Sequence, residues 1–419
     1  MKGFLAAFGT ILLVLAGMRM NAIGTVHPLL ATGLLIVLSF FVGEAFAKVR
    51  LPRWMGCAAM GVLLGPEGFR LIGTEVLVKI EWLEILALGW VSFRLGVISS
   101  GAKVLWRQSA WVAALVVGVS FAGTFLALLL SGVPTVFALL LGTIAAAPAP
   151  LVLSSMQDRG ERPENPSERT MAICASVLVL LLWIGVMGGL QLTQSRWIPA
   201  SVWLPGIKFV AGVGLAVMLS RIFGFIFYRG LLGKIFLSGW FIALHLLLAS
   251  GAAIFLFAVT MGIALPEDRE HRKERGALGR SQAQMAALFL IAFLGARLHF
   301  RFVGTPSFLW LIAGIYVSAM AASKLVGIYA ARSMLKRIGV RRWDGAVCFL
   351  PQLFLPLTLI AATEAHLSGV PGFENLSGFS NIAYWGVLWG SLIFPMAARV
   401  KGEVKSSDGG VKNCTKHKT

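Results

Sequence analysis

Charge is scarce in this sequence, and acid is scarcer than base. Only 13% of the 419 residues are Asp, Glu, Lys or Arg, and 37 basic residues stand against 18 acidic ones. A soluble domain carries about 25% charged residues to cover its surface. With 58% hydrophobic residues and a mean hydropathy of +0.83, this chain reads instead as a polytopic membrane protein. Cysteine is thin as well. Cys57, Cys174 and Cys348 fall in apolar runs and Cys414 lies near the end, so no disulfide framework is expected. The histidines (His27, His245, His271, His299, His366 and His417) are scattered, without metal-ligand spacing. No nucleophile sits beside a base, and no βαβ unit or Gly-rich nucleotide fingerprint follows the hydrophobic part. The glycines between Leu51 and Pro66 belong to an apolar helix. These absences argue against an enzyme, and no metal or other cofactor is expected.

What the chain does have is long apolar runs. Segments of spanning length fall at about 3–18, 28–47, 53–69, 80–98, 109–131, 134–156, 170–192, 203–228, 235–249, 250–266, 282–300, 306–330, 343–366 and 379–398. The fold class is therefore all-α, with about 13–14 transmembrane helices. The first run is short enough for a signal peptide. No small-residue cleavage site precedes Arg19, so a retained helix is expected. The runs 235–249 and 250–266 are parted only by Ser250-Gly251, which leaves the count open there. The chain divides into an N-terminal hydrophobic helix and loop (1–27), a transmembrane domain (28–400) and a basic tail (401–419) expected to be disordered.

Lys and Arg set the expected orientation. With the turn Lys48–Arg53 in the cytoplasm and the segments alternating, most of the 37 basic residues fall inside. They gather in the loops 266–280 and 331–342 and in the tail. The other side keeps Arg19, Arg70, Lys79, Arg196 and Arg301. Both termini are then cytoplasmic. Topology and anionic lipid explain the excess of base without nucleic acid. Trp54, Trp82, Trp197 and Trp343 suit an interfacial belt.

Two of the apolar runs are interrupted by paired prolines: Pro148-Ala149-Pro150, and Pro351-Gln352 with Pro356. Proline removes a backbone donor and clashes one turn back, so each helix should break there. Backbone groups freed at membrane depth must face protein or a wet cavity. Paired interruptions in two halves of a chain point to inverted repeats with crossed, broken helices, the pattern of a secondary-transporter site. Against this stands the general frequency of Pro in membrane helices.

The order of motifs resembles the monovalent cation:proton antiporter superfamily, the membrane domain of sodium/hydrogen exchangers. The resemblance rests on Leu51-Pro52 and the Gly-rich helix through Gly56, Gly61 and Gly65-Pro66. It continues through Leu88-Gly89 and Phe93-Arg94-Leu95-Gly96, the Pro148–Pro150 break, Ala322-Ser323-Lys324 with Gly327, and Pro351-Gln352. It covers about residues 28–400. It implies antiport of sodium or potassium against protons by alternating access, a homodimer in the lipid bilayer, and a bacterial inner (plasma) membrane location.

The resemblance fails at the residues that bind the ion in that family. The aspartate pair of the family falls by offset on Ala175-Ser176, and its Thr-Asp-Pro crossover is Pro148-Ala149-Pro150 here. The family lysine is kept as Lys324. Transport-site candidates are therefore Lys324, Ser176, Ala175 and Gln352. Each has an ordinary reading too. Lys324 lies eight residues before Arg332, about 12 Å along a helix, and could snorkel. Ser176 could bond its own helix, and Gln352 could satisfy the break. Glu84, Glu364 and His366 are alternative titratable groups, with a solvated interfacial pair as the plainer account of Glu364 and His366. Glu44 should snorkel to the basic turn, and Arg297 should lie at the outer interface. Two rivals to cation:proton exchange remain: a divergent carrier of an anion or neutral solute, and a transport-inactive sensor or partner subunit.

Overall fold

The computed structural model describes residues 28–48, 53–66, 68–99, 106–148, 166–193, 218, 251–264, 280–297, 307–340, 349, 354–367, 378–387 and 389–390. All the regular structure among them is helical. In chain order the helices are α1 (Pro28–Lys48), α2 (Arg53–Leu64), α3 (Thr74–Lys79), α4 (Glu81–Ser99), α5 (Trp106–Leu130) and α6 (Thr135–Ala146). Then come α7 (Pro166–Thr193), α8 (Gly251–Ala264), α9 (Arg280–Arg297), α10 (Ser307–Ala330), α11 (Arg332–Arg337) and α12 (Phe354–Leu367). A last helical segment follows over residues 378–387. Among the described residues four helices are long and apolar enough to cross a membrane: Leu30–Lys48, Trp106–Leu130, Thr170–Leu190 and Leu309–Ala330. The protein is an all-α integral membrane protein. The expected runs at 3–18, 203–228 and 235–249 lie outside the described residues, apart from Met218.

The chain forms two compact units. The first comprises Met1–Glu84 and Ala287–Arg301, and the second Ile85–Ala286 and Phe302–Thr419.

In the first unit small residues let helices meet backbone to backbone. α1 and α2 form an antiparallel hairpin. A Cβ on Gly56 would come 2.7 Å from the Val42 carbonyl, and Cys57 Sγ donates to the Ser39 carbonyl at 3.3 Å. Arg53 reaches back to Glu44 at 2.7 Å, so the expected tie of Glu44 to the basic turn is an ion pair. α2 also packs parallel to the end of α9. Gly61 lies against the Ala292 carbonyl, Gly65 against Ala296, and Gly295 against Ala58. No side chain of ordinary size fits between them. Pro66 ends the α2 pattern, and the chain folds back through Phe69 N–H to the Leu63 carbonyl (2.6 Å) and Ile72 N–H to the Leu64 carbonyl (2.9 Å).

The second unit is built around α5, α6, α7 and α10. α5 and α10 run antiparallel and meet at small polar residues. Gly123 faces Ser323, and Gly327 faces Val116. The Ser323 hydroxyl lies 3.2 Å from the Thr124 hydroxyl and within reach of the Ser120 carbonyl at 3.3 Å. Elsewhere in this unit Gly96 of α4 and Gly262 of α8 cross in direct backbone contact. This is how membrane helices associate when apolar burial gives no preference over lipid: close backbones and short hydrogen bonds.

Candidate functional site

The site begins with the end of α6. The apolar run continues through 146 without a change in composition, yet the helix stops at Ala146. Pro148 is the cause. It cannot donate to the turn before it, and it pushes the preceding residue out of the helical region. Ala147 accordingly takes φ −66° and ψ 134°, and its N–H turns back to the Ile144 carbonyl at 3.2 Å. Its own carbonyl leaves the helical ladder. The break expected at Pro148 is therefore present, and Pro148 is buried. Ala149 and Pro150 lie outside the described residues.

Lys324 supplies the partner. Its Nζ donates to the Ala147 carbonyl at 2.9 Å. The side chain is fully buried, so the snorkelling account is excluded by its 0% exposure. Position in α10 follows from the contact with α5. Ser323, one residue earlier, is locked against Ser120 and Thr124, which turns the next position inward to α6. The electrostatics are favourable. A helix C-terminus carries partial negative charge, and a cation there is stabilised. The lysine nitrogen commits one N–H to this carbonyl. Among the described residues Lys324 makes no ion pair.

The other sequence candidates fall around this point or away from it. Ala175 and Ser176 are fully buried on α7. The Ser176 hydroxyl donates to the Ala172 carbonyl at 2.9 Å, within its own helix, so its proton is already committed. Gln352 and Pro351 lie outside the described residues; Pro356 is buried in the first turn of α12. Glu364 is partly exposed on α12, and His366 lies on the same helix. α12 is tied to α7 by a bond across the unit. Trp183 Nε1 donates to Thr363 Oγ1 at 3.1 Å.

Glu84 sits elsewhere, in the first unit. It is buried, and Arg297 lies 3.4 Å from its carboxylate and 3.6 Å from that of Glu81. The Arg297 guanidinium also stacks over the Phe293 ring at 4.7 Å. Glu84 and Arg297 form an ion pair with side-chain exposures of 8% and 18%. Sequence reading also missed Glu168, which is buried in the first turn of α7, and Tyr316, which is buried on α10. Acid in a first helical turn was the only signal for Glu168. Tyr316 gave none. Among the described residues no group of three or more His, Cys, Asp or Glu comes together to hold a metal ion.

No protein-family model matches the chain, and no curated protein matches its sequence. Solved structures do match. The structure at pH 8 of the sodium proton antiporter MjNhaP1 from Methanocaldococcus jannaschii superposes with a TM-score of 0.66 at 17% identity, covering 90% of this chain and 97% of that one. The electron-microscopy map of the same antiporter gives 0.68 at 17% identity, covering 90% and 96%. The chain has a cation:proton antiporter fold. At 17% identity the likeness is one of fold. Within that antiporter-like fold, Lys324 and the broken end of α6 meet inside a single unit.

Proposed function

We propose that the protein is a secondary active transporter that exchanges sodium or potassium for protons by alternating access. The transport site in this reading is the broken end of α6, where Lys324 meets the Ala147 carbonyl. That contact, a buried lysine amine on a helix end opened by proline, is the observation that carries the reading. An ionisable side chain buried inside a membrane protein is costly to keep and is by default a functional group. Carbonyls at the end of a half-helix suit a small cation, and a tethered ammonium can stand at the same place. The matched solved structures are those of a sodium proton antiporter, which supports cation and proton as the exchanged species.

A second reading has its own support. Ala175 and Ser176 stand where the family resemblance calls for aspartates, and Lys324 makes no ion pair among the described residues. A site with that balance of charge would favour an anion or a neutral solute. A transport-inactive partner subunit is the remaining case.

Purified protein in liposomes separates the three. A pH-sensitive dye inside the vesicles should respond when Na⁺ or K⁺ is added outside. A response to added anions alone would favour the second reading, and no response to any of them the third. The same preparation tests the homodimer by mass photometry. Cysteine labelling at residues 273 and 412 in intact and opened cells tests the expected cytoplasmic placement of both.

A further inference from the structure

We propose that the outward face of α10 and α11 binds an anionic phospholipid lengthwise, with its phosphate on Arg332 and Lys336. The helix runs almost unbroken past the end of α10. Ala331 N–H donates to the Gly327 carbonyl and Leu335 N–H to the Ala331 carbonyl, both at 2.9 Å, so α11 continues α10. Residues three and four apart share a face of such a helix. One exposed face therefore carries Ser318, Ala322, Leu325, Tyr329, Arg332 and Lys336 in line. Leu335 and Ile338 point away from it and are buried, and Lys324 lies on the inward side of the same helix.

The face has a charged end and an apolar lane, as a phospholipid has. Arg332 and Lys336 are exposed, and neither makes an ion pair among the described residues. α10 and α11 contain no acidic residue, and neither does α5 alongside them. Tyr329, 65% exposed, stands one turn inward, where phenols mark the membrane interface. Beyond it the lane is apolar for the depth of one leaflet. Half of a hydrocarbon core of about 30 Å takes about ten residues of helix, which is the span from Arg332 back to Ala322. At Ala322 an open groove of about 550 Å³ begins, lined by Gly314, Ser318 and Ala319 and flanked by Trp310 and Leu311. A second copy of the chain suits this face less well. Copies in one membrane share their orientation, so a twofold pair through it would set Arg332 against Arg332 and Lys336 against Lys336. A phosphate set between the two side chains is attracted where those like charges repel. The binding stands apart from the transport reading given above. An effect on flux rests on that reading, because the lipid would hold the depth of the helix that carries Lys324.

Native mass spectrometry of the full-length protein, released from detergent with added phosphatidylglycerol or phosphatidylcholine, tests the proposal. The parent should retain phosphatidylglycerol several-fold over phosphatidylcholine. Arg332→Gln with Lys336→Gln should abolish that preference, and Arg332→Lys with Lys336→Arg should keep it. Lys412→Gln with Lys416→Gln removes equal charge from the tail and should leave the preference unchanged. Ala322→Trp, at an exposed position, blocks the apolar lane and should lower retention. Equal retention of the two lipids by the parent overturns the proposal. So does equal loss in the α11 and tail variants, which would show the pull of net charge alone. A parent dimer that Ala322→Trp splits into monomers, with lipid retention unchanged, gives the face to a second copy and overturns it as well. Flux in liposomes should rise several-fold when phosphatidylglycerol replaces phosphatidylcholine. A parent that retains the lipid and moves no ion upholds the lipid site and removes only the transport reading.

Discussion

Trp183 of α7 donates its indole N–H to the Thr363 hydroxyl of α12 at 3.1 Å, and Thr363 donates in turn to the Leu359 carbonyl at 2.7 Å. The helix bearing Ala175 and Ser176 is thereby pinned to the helix that carries Pro356 in its first turn. Thr363→Val keeps the shape and removes the acceptor. It should cost about 1–3 kcal/mol, the penalty for taking one partner from a buried hydrogen bond. Thermal unfolding in detergent checks it, and Trp183→Phe should cost a similar amount. Two variants as stable as the parent would show that the bond contributes nothing.

Lys324→Met replaces the ammonium with an apolar chain of similar length. Removing the buried amine relieves its desolvation, which offsets the cost of about 1–3 kcal/mol for leaving the Ala147 carbonyl without its donor. The variant should therefore unfold within about 1 kcal/mol of the parent, while liposome flux disappears. Retained flux would remove Lys324 from the site.

Glycine positions should divide by sign. Gly118 of α5 has open space where a Cβ would stand, so Gly118→Ala should gain up to about 1 kcal/mol from helix propensity. Gly61 lies on the Ala292 carbonyl, and Gly61→Ala must push α2 from α9. It should lose about 1–3 kcal/mol, as overpacked interiors do. Denaturant titration of the two variants decides it, and equal effects would contradict the contact.

The pair of Arg297 with Glu84 should be costly to halve. Arg297→Ala leaves the buried Glu84 without its counter-charge, at about 3–5 kcal/mol, while Glu84→Gln leaves Arg297 only the more exposed Glu81. Glu81 is nearly half exposed, and Glu81→Gln should stay within about 1 kcal/mol. A double-mutant cycle on unfolding free energy reads the coupling directly. Additive effects of the Glu84 and Arg297 changes would show none.

Pro148→Ala restores a donor at 148 and lifts the restriction on Ala147. The helix should run on past Ala146, and the Ala147 carbonyl should return to the ladder. Lys324 then loses its acceptor. Flux should fall while the protein still inserts and folds, as judged by its elution in detergent. Unchanged flux would place the site away from the break.

Local rules made much of this fold legible in the sequence. The apolar runs matched α1, α4, α5, α7 and α10 to within a few residues, because spanning length and hydropathy are properties of one segment. Pro148 marked the end of α6 for the same reason. Alternation of the segments also implied that α2 and α9 run parallel and that α5 and α10 run antiparallel, as they do. Pairing across long distances was not legible. Arg297 is over 200 residues from Glu84, and nothing in either neighbourhood names the other. Trp183 and Thr363 are likewise joined only by packing. Lys324 was singled out by resemblance, but its acceptor is a backbone carbonyl, and any residue at 147 would supply one. A partner of that kind leaves no mark in the sequence.

The contact of α2 with α9 has a mechanical consequence. Between Gly61 and Ala292, and between Gly65 and Ala296, there is no layer of side chains to change rotamer. Such a joint has no soft mode; it holds in one geometry or comes apart. Within the first unit, α2 and the end of α9 therefore behave as a single strut, passing on a displacement rather than absorbing it. Backbone amides across residues 58–65 and 292–296 should exchange with solvent as one block.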